Sequence, residues 1–102
     1  MAAYLIVDVT EIRDERAYAD YRSQVASGIQ QADGRYLARG GAIEVLEGDW
    51  RPQRIVVVRF ESPAAARAWW TSGEYADLKR MRMASTRTNM IVVDGVPEAG
   101  VT

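Results

Sequence analysis

The chain has 102 residues and a formal net charge of -1, from 13 basic and 14 acidic side chains. A chain of this length is expected to fold as one domain. Its hydrophobic fraction of 48% and charged fraction of 26% are typical of a folded protein and exclude general disorder. The near-neutral charge argues against a nucleic-acid binder, which needs a basic surface to displace counterions.

Cysteine and histidine are both absent from the sequence. The chain therefore offers no disulfide, no thiol nucleophile, and no imidazole to serve as general base, metal ligand or haem ligand. Carboxylates and water alone make weak sites for hard ions in a small fold without a dedicated loop. We expect no bound metal and no cofactor.

The N-terminal segment predicts no secretory leader. Its apolar run from Tyr4 to Val7 has no basic flank and meets an acid at Asp8, whereas a signal peptide needs a positive start and a longer core. No stretch of the sequence approaches the roughly 20 apolar residues of a membrane helix. We expect a cytosolic protein with no membrane partner.

The first part of the chain predicts a strand, a helix and the start of a second strand. Residues 3–9 are rich in β-branched and aromatic side chains and predict the first strand. Asp14 is the predicted N-cap of a helix from residue 15 to about residue 32. Its apolar side chains recur at helical spacing: Tyr18, Tyr21, Val25, Ile29 and Ala32. We expect Gly34 to end this helix in the left-handed conformation.

The second strand is predicted in two pieces, residues 35–39 and residues 42–46. Gly40 and Gly41 lie between the two pieces and predict a bulge or a bend. Residues 47–52 form a turn-rich loop. We expect Trp50 in this loop to reach across a dimer interface, because aromatic residues are enriched at interfaces.

The second half of the chain predicts a strand, a helix in two pieces and a last strand. Residues 54–60 are the clearest strand in the sequence. Ser62 predicts an N-cap with Pro63 in the first helical position, and this helix runs to residue 70. After a break at residues 71–73, a second helical piece covers residues 74–85, and residues 88–94 form the last strand. We expect a single domain over residues 2–95 and a flexible tail over residues 96–102.

The predicted order of elements is βαββαβ, which is typical of the α+β ferredoxin-like fold. Its four-stranded antiparallel sheet carries both helices on one face, yet the strands are apolar on both faces. In the first strand, Leu5 and Val7 alternate with Tyr4 and Ile6. Because a large uncovered apolar face is unusual on a monomer, we predict a two-fold homodimer packed sheet on sheet. The alternative is a single sheet with a few exposed aliphatic side chains.

Five motifs in chain order carry a family resemblance. They are Tyr4-Leu5-Ile6-Val7-Asp8-Val9, Tyr18-x-x-Tyr21-Arg22, Gly34-x-Tyr36-Leu37-x-Arg39-Gly40-Gly41, Val45-Leu46-Glu47-Gly48-Asp49-Trp50 and Ser72-x-Glu74-Tyr75. With this set, the sequence resembles the small bacterial proteins called domain of unknown function 1330, over roughly residues 2–95. The resemblance implies the dimeric α/β-barrel superfamily, in which two ferredoxin-like protomers close their sheets into a barrel.

The same resemblance implies where a ligand would lie but implies no reaction. Superfamily relatives include cofactor-independent oxygenases and lactone isomerases, and their ligands commonly lie between the sheet and the helices. The family itself is uncharacterised, and likeness of fold alone does not transfer a function. One departure is the sequence Gln31-Ala32-Asp33-Gly34, where relatives often have a glycine pair; we expect it to alter a turn and not a site.

Four residues are candidate ligand-binding residues: Tyr21, Arg39, Trp70 and Tyr75. If Arg39 alternates in phase with Leu37, and Leu37 faces the helices, the guanidinium faces the same space as the Tyr21 phenol. A planar fork of donors beside a phenol suits a carboxylate or an enolate. The alternative is a structural Arg39 that pairs with Glu44 or Glu47.

The aromatic candidates have structural alternatives as well. Tyr75 would donate to a ligand oxygen, and Trp70 would wall a pocket for a planar ligand, but aromatic residues at helical spacing are often part of the core. We expect Tyr18 to be a core residue. The basic residues Arg80 and Arg82 are expected on a solvated helix face, together with Lys79 and Arg87.

Three classes of function stay open from the sequence. The first is a small-molecule binder or a cofactor-free enzyme, whose ligand is organic and anionic or aromatic. The second is a structural or regulatory dimer without catalysis, which would lack convergent polar groups in a cavity. The third is an RNA-recognition module, which needs aromatic residues for base stacking in the third strand. That strand carries Ile55, Val56 and Val57 in its centre, so we expect no nucleic-acid partner.

Overall fold

The computed structural model describes residues 1–97 of the chain. Its elements are β1 (Ala3–Ile12), α1 (Glu15–Gln31), β2 (Arg35–Arg39), β3 (Arg54–Phe60), α2 (Pro63–Thr71), α3 (Gly73–Ser85) and β4 (Thr86–Asp94). The predicted ferredoxin-like α+β fold is confirmed, with the second helix divided into α2 and α3. Residues 98–102 of the predicted tail lie outside the described residues. Within the described part, each helix is too short or too polar to cross a membrane.

The four strands form one antiparallel sheet in the order β2-β3-β1-β4. Leu5, Val7 and Val9 of the central strand β1 belong to the buried core together with side chains of the helices. The helices therefore cover this face of the sheet, which we call the helix face. Because successive side chains of a strand point to opposite faces, Tyr4 and Ile6 lie on the other face, which we call the open face.

Local sequence signals fix where the helices begin. The Asp14 carboxylate accepts the Ala17 N–H at 3.0 Å, and the Ser62 hydroxyl accepts the Ala65 N–H at 3.0 Å. Both are the N-caps that the sequence predicts. Ser72 ends α2 and begins α3, since its own backbone is extended while its hydroxyl accepts the N–H of Tyr75. This cap places Tyr75 in the first turn of α3.

Aromatic side chains from α2 and α3 pack together against β3. The Trp69 and Tyr75 rings have centroids 4.1 Å apart, and Trp69 lies 5.9 Å from Phe60. Val58 and Phe60 are fully buried beneath the helices. These contacts hold α2 and α3 on the sheet and leave the hydroxyl of Tyr75 to face α1.

The structure differs from the prediction at residues 42–46, which are not a strand. β2 pairs with β3 as far as Arg39 opposite Val56, and the Gly40 N–H donates to the Ile55 carbonyl at 3.0 Å. Since β3 begins at Arg54, the chain beyond Gly40 has no neighbouring strand to pair with, and β-type composition alone does not form a ladder. Residues 41–53 form a long connection, which we call the arm.

The turn after α1 also differs from the prediction. Asp33 adopts the left-handed conformation, with φ of 61°, and Gly34 does not. Gly34 is required for space instead: a Cβ atom there would lie 2.7 Å from Ile29 Cγ2 and 3.0 Å from Phe60 Cε1. The turn therefore combines an acid that tolerates the left-handed region with a glycine that lets the chain pass close to the core.

The close approach at Gly34 yields a prediction. Gly34→Ala is expected to lower the free energy of unfolding by about 1–3 kcal/mol, the usual cost of overpacking a core. Gly41→Ala is the matched control, because a Cβ at Gly41 meets no atom within 4 Å. Urea unfolding of both variants measures the difference. Equal stability of the two variants would contradict the steric reading of Gly34.

Candidate functional site

A buried chain of polar groups joins α1 to α3 on the helix face. The hydroxyls of Tyr21 and Tyr75 lie 2.8 Å apart, and Arg82 Nε donates to the Tyr75 hydroxyl at 3.2 Å. All three side chains are buried, and Arg82 is only 5% exposed. The interior of this small protein therefore contains a guanidinium that is hydrogen-bonded to a phenol.

A second group of arginines surrounds the ring of Tyr18. Arg54 Nε donates to the Tyr18 hydroxyl at 2.9 Å. The guanidinium carbons of Arg22 and Arg54 lie 5.2 and 5.7 Å from the centroid of this ring, at distances typical of cation–π contacts. Tyr18 stacks in turn on Tyr21, with centroids 5.9 Å apart. The two groups of polar side chains are therefore continuous.

Arg39 approaches the same region from β2. Its Nη2 donates to the Arg22 carbonyl at 2.7 Å, and its guanidinium lies 4.5 Å from the centroid of the Tyr36 ring. Together these side chains form what we call the arginine–tyrosine cluster. Its members are Arg22, Arg39, Arg54, Arg82, Tyr18, Tyr21, Tyr36 and Tyr75.

Arg39 reaches the helix face for a different reason from the predicted one. The expected alternation with Leu37 is wrong, because β2 has a bulge between Tyr36 and Ala38. Tyr36 pairs with Val58 and Arg39 pairs with Val56, so both share the helix face although they are three residues apart. Leu37 lies in the bulge and is 50% exposed. A bulge of this kind redirects the side chains that follow it.

The cluster is cationic and has no anionic partner within residues 1–97. None of its four arginines forms an ion pair in that part of the chain, where the side-chain ion pairs are Arg13 with Glu11 and Arg80 with Asp77. The alternative pairing of Arg39 with Glu44 or Glu47 is therefore absent. Arg22 Nε is buried and has no hydrogen-bond partner. Buried donors of this kind are normally satisfied.

The space inside the cluster is small, but two larger spaces adjoin it. A partly open cavity of about 30 Å³, which we call the inner cavity, lies between the sheet and α1 and is lined by Tyr21 and all four arginines. A cleft of about 380 Å³ between α3 and β4 shares Leu5, Arg82 and Met90 with that cavity. A groove of about 430 Å³ between α1 and the other helices shares Val25 and Trp69 with it. The inner cavity has room for one or two water molecules.

The structure brings three of the four candidate residues together. Tyr21 and Arg39 both line the inner cavity, and Tyr75 joins them through its hydroxyl. Trp70 stands apart, because it lines the cleft and not the cavity. Lys79 Nζ lies 3.7 Å from the centroid of the Trp70 ring and donates to the Trp70 carbonyl. Trp70 therefore walls the neighbouring space.

Three arginines of the cluster were missed by sequence reasoning. The expectation of a solvated helix face is wrong for Arg82, which is buried. A usable signal exists, since Arg82 follows Tyr75 by seven residues and so lies on the same face of a helix. Arg54 alternates with Val56 and so belongs to the helix face of β3. Arg22 follows Tyr18 by four residues and so lies beside it on the same face of α1.

Burial raises the pKa of two phenols of the cluster, those of Tyr21 and Tyr36. Burial is the main cause that raises the pKa of Tyr21 far above its usual range, the neighbouring Tyr75 phenol adds to it, and Arg82 opposes it in part. Burial also raises the pKa of Tyr36, and Arg39 opposes this rise. Tyr21 and Tyr75 share one mutual hydrogen bond, which uses one of their two O–H protons. One phenolic proton therefore stays available to a third group.

Within residues 1–97, no three acidic side chains come together in a way that would hold a metal ion. The expectation that the protein binds no metal and no cofactor stays a prediction. The chemistry of the cluster itself consists of guanidinium charge, phenolic hydroxyls and apolar walls.

The fold and the cluster define the class of protein. It is an α+β protein of the ferredoxin-like type, with an antiparallel sheet, helices on one face and an uncompensated arginine–tyrosine cluster between them. The chain belongs to the family described as domain of unknown function (DUF1330), whose model matches residues 2–96. The resemblance seen in the sequence is thereby confirmed.

Solved structures of similar fold come from several sources. A protein of unknown function from Rhodopseudomonas palustris has a TM-score of 0.76 and 16% identity, over 94% of this chain and 83% of that chain. A dimeric ferredoxin-like protein of unknown function from Jannaschia sp. CCS1 has a TM-score of 0.69 and 17% identity, over 93% of this chain and 100% of that chain. The cofactor-independent oxygenase SnoaB from Streptomyces nogalater has a TM-score of 0.69 and 9% identity, over 98% of both chains. At these identities the likeness shows the fold alone, and no curated protein matches the sequence.

The raised pKa of Tyr21 predicts how stability changes with pH. Above about pH 10 the unfolded chain releases this phenolic proton, whereas the folded protein keeps it, so unfolding releases a proton. The free energy of unfolding should therefore fall as the pH rises above about 10. Tyr21→Phe removes this proton, so its free energy of unfolding should fall less steeply above about pH 10. At neutral pH the variant should be less stable than the wild type, because it loses the hydrogen bond to Tyr75.

Urea unfolding near neutral pH and at about pH 11 measures this effect. Tyr36→Phe is the comparison variant and should also flatten the alkaline fall, because burial raises its pKa as well. An alkaline fall of the same steepness in the wild type and in Tyr21→Phe would contradict the assignment.

Proposed function

We propose that the protein is a homodimer that binds a small organic anion in the space between its sheet and its helices. The observation that carries the ligand proposal is the convergence of four arginines with no carboxylate partner in the described part of the chain. A cytosolic location stays a prediction from the sequence.

The energetic argument begins with Arg82. A buried cation loses its hydration, and within residues 1–97 Arg82 donates to the Tyr75 hydroxyl and pairs with no carboxylate. Protein interiors normally compensate such a charge with a hydrogen-bonded anion. Arg22 adds a buried N–H without an acceptor. An anionic ligand would supply both the missing charge and the missing acceptor.

The sizes of the spaces indicate what kind of anion fits. The inner cavity of about 30 Å³ accommodates a carboxylate or a similar head group and no more. The rest of the molecule would lie in the adjoining cleft, where Trp70, Met83 and Met90 provide apolar walls. The ligand class that suits both spaces is an organic acid with an apolar or aromatic body.

The catalytic capacity of this site is hydrogen-bond donation to a ligand oxygen and not proton transfer, because burial raises the pKa of Tyr21 and makes its phenol a weak acid. The phenolic proton that the Tyr21–Tyr75 pair does not use is available to a ligand oxygen, and the arginines stabilise negative charge that develops there. This chemistry needs no cofactor. The oxygenase SnoaB is described as cofactor-independent, which supports a reaction of that class here only by likeness of fold.

Arg39→Met tests the ligand site. Methionine keeps much of the bulk of Arg39 and removes the charge, so affinity for an anionic probe should fall by about 1.5–3 kcal/mol while the fold survives. The probe is benzoate, with uncharged benzyl alcohol as its neutral analogue, and isothermal titration calorimetry measures both. Arg67→Met is the matched control, because Arg67 is exposed on α2 and lies outside the cluster.

Two results would contradict the ligand proposal. One is a wild-type protein that binds benzoate no better than benzyl alcohol. The other is an Arg39→Met variant that loses thermal stability and keeps its benzoate affinity, since that is the behaviour of a structural residue. The small volume of the inner cavity favours a second candidate function, a structural or regulatory dimer without a ligand. Equal binding of benzoate and benzyl alcohol by the wild type would support that function.

The homodimer proposal rests on the open face of the sheet. Ile91 and Val93 of β4 are exposed on this face, where they pair with Ile6 and Tyr4 of β1. A group of neighbouring apolar side chains on an uncovered face is typical of a protein–protein interface. One solved structure of similar fold is described as dimeric, which adds support for this proposal.

Val57→Glu tests the dimer. Val57 lies on the open face between Ile6 and Ala38, so a carboxylate there would be buried without a partner in the interface and would cost several kcal/mol. The variant should sediment as a monomer or unfold. Ala64→Glu is the control, since Ala64 is exposed on α2. A wild-type protein that sediments as a monomer at micromolar concentration would overturn the homodimer.

A further inference from the structure

We propose that Thr88 makes the site selective for organic acids that carry a neutral hydroxyl group on their apolar body. The inference rests on the proposed anion site and adds to it a residue that determines specificity and a substrate class, the hydroxy acids. It depends on the direction of the hydrogen bonds at the start of β4.

The cleft between α3 and β4 is the space in which the body of the ligand would lie. Its volume of about 380 Å³ falls within the usual range of small-molecule pockets, about 300–1,000 Å³. Apart from the Trp70 indole, the side chains that bring nitrogen or oxygen to its walls are Arg82, Thr86 and Thr88. Arg82 also lines the inner cavity, so it lies where a bound acid would pass from one space to the other.

Thr88 faces this cleft because of its register in the sheet. It pairs with Val9, which belongs to the buried core on the helix face. It precedes Met90 by two residues, so both side chains lie on the same face of β4. Met90 lines the inner cavity and the cleft, whereas Thr88 lines the cleft and is half-buried there. The Thr88 hydroxyl is therefore placed beside the body of the ligand and not beside its head group.

The hydroxyl of Thr86 fixes the direction of the hydrogen bonds. It lies 2.8 Å from the Arg82 carbonyl, which can only accept, so the single hydroxyl proton of Thr86 is used there. The hydroxyls of Thr86 and Thr88 also lie 2.8 Å apart. Since Thr86 has no second hydroxyl proton, Thr88 donates to Thr86. Thr86 is buried, so this arrangement is shielded from water.

The consequence is that the Thr88 hydroxyl can only accept a further hydrogen bond. A hydroxyl has one proton and two lone pairs. The proton of Thr88 is used on Thr86, and its oxygen accepts no hydrogen bond from residues 1–97. A ligand group that lies against Thr88 must therefore be a donor. A group that can only accept would lose its hydration there without compensation.

The charges around the site require this donor to be neutral. Within the described chain, no acidic side chain lines the cleft or the inner cavity, whereas four arginines line the inner cavity. An ammonium group on the ligand would be repelled by these cations and would find no carboxylate. A hydroxyl donates without carrying charge. The site thus offers donors to a carboxylate at one end and an acceptor to a hydroxyl at the other, which suits a hydroxy acid.

Isothermal titration calorimetry with substituted benzoates tests the selectivity. The probes are 3- and 4-hydroxybenzoate and the two fluorobenzoates with the same substitution, because fluorine is close to a hydroxyl in size and cannot donate. The wild type should bind at least one hydroxybenzoate about three- to tenfold more tightly than the matching fluorobenzoate. This factor corresponds to one neutral hydrogen bond.

Three variants assign the selectivity to one oxygen atom. Thr88→Val keeps nearly the same shape and removes the acceptor, so the preference for the hydroxyl should disappear while the affinity for benzoate stays the same. Thr88→Ser keeps the hydroxyl and should keep the preference. Thr10→Val is the matched control, because Thr10 is exposed on β1 and its hydroxyl donates to the Arg87 carbonyl outside the cleft. Circular dichroism checks that each variant is folded.

The outcomes separate this inference from the proposed anion site. A wild type that prefers benzoate to benzyl alcohol, but binds hydroxybenzoates and fluorobenzoates equally, overturns the role of Thr88 and leaves the anion site standing. A hydroxyl preference that persists in Thr88→Val does the same. A wild type that binds none of the benzoates overturns both proposals. A preference that is lost in Thr88→Val and kept in Thr88→Ser and Thr10→Val supports the inference.

Discussion

The hydrogen-bonded chain of Tyr21, Tyr75 and Arg82 is the interaction on which the arrangement of this protein depends. It ties α1 to α3 beneath the aromatic packing that holds α3 on the sheet. Tyr75 is in place because Ser72 begins α3 one turn earlier. A change in that cap would move the phenol, and the buried guanidinium would lose its acceptor. Local helix capping and the electrostatics of the core are therefore linked at one residue.

A buried arginine of this kind is costly for a small domain. The stability of such a domain is a small difference between large terms, so one uncompensated cation is a considerable fraction of it. A core assembled for stability alone would place an aliphatic side chain at position 82, since apolar replacements of buried charged groups are often neutral or stabilising. The presence of Arg82, with Arg22 and Arg54 near it, is more easily understood as a requirement of binding than of folding.

Sequence reasoning succeeded where the signal is local and missed what depends on pairing at a distance. The caps at Asp14 and Ser62 depend on bonds within one turn, so their positions are readable from residue type. The arm was predicted as a strand because its composition does not show that β3 begins too late to pair with it. Arg39 was assigned to the correct face by alternation with Leu37, but it shares that face with Tyr36, because β2 has a bulge that the sequence does not show. Arg82 was missed because the basic residues around it suggested a solvated surface.

The arginine–tyrosine cluster, which lacks an anionic partner, and the arm, which exposes large apolar side chains, meet at Gly40. This residue has φ of 70°, directly follows Arg39 of the cluster and directly precedes the arm. The Arg54 guanidinium occupies the space that a Cβ atom at Gly40 would take, so the turn that releases the arm also seats an arginine of the cluster. Under the proposed homodimer, contacts between the arm and a second copy of the chain would restrain the backbone that carries Arg39. Dimerisation would then favour anion binding, and anion binding would favour the dimer by the same free energy, because such coupling is reciprocal.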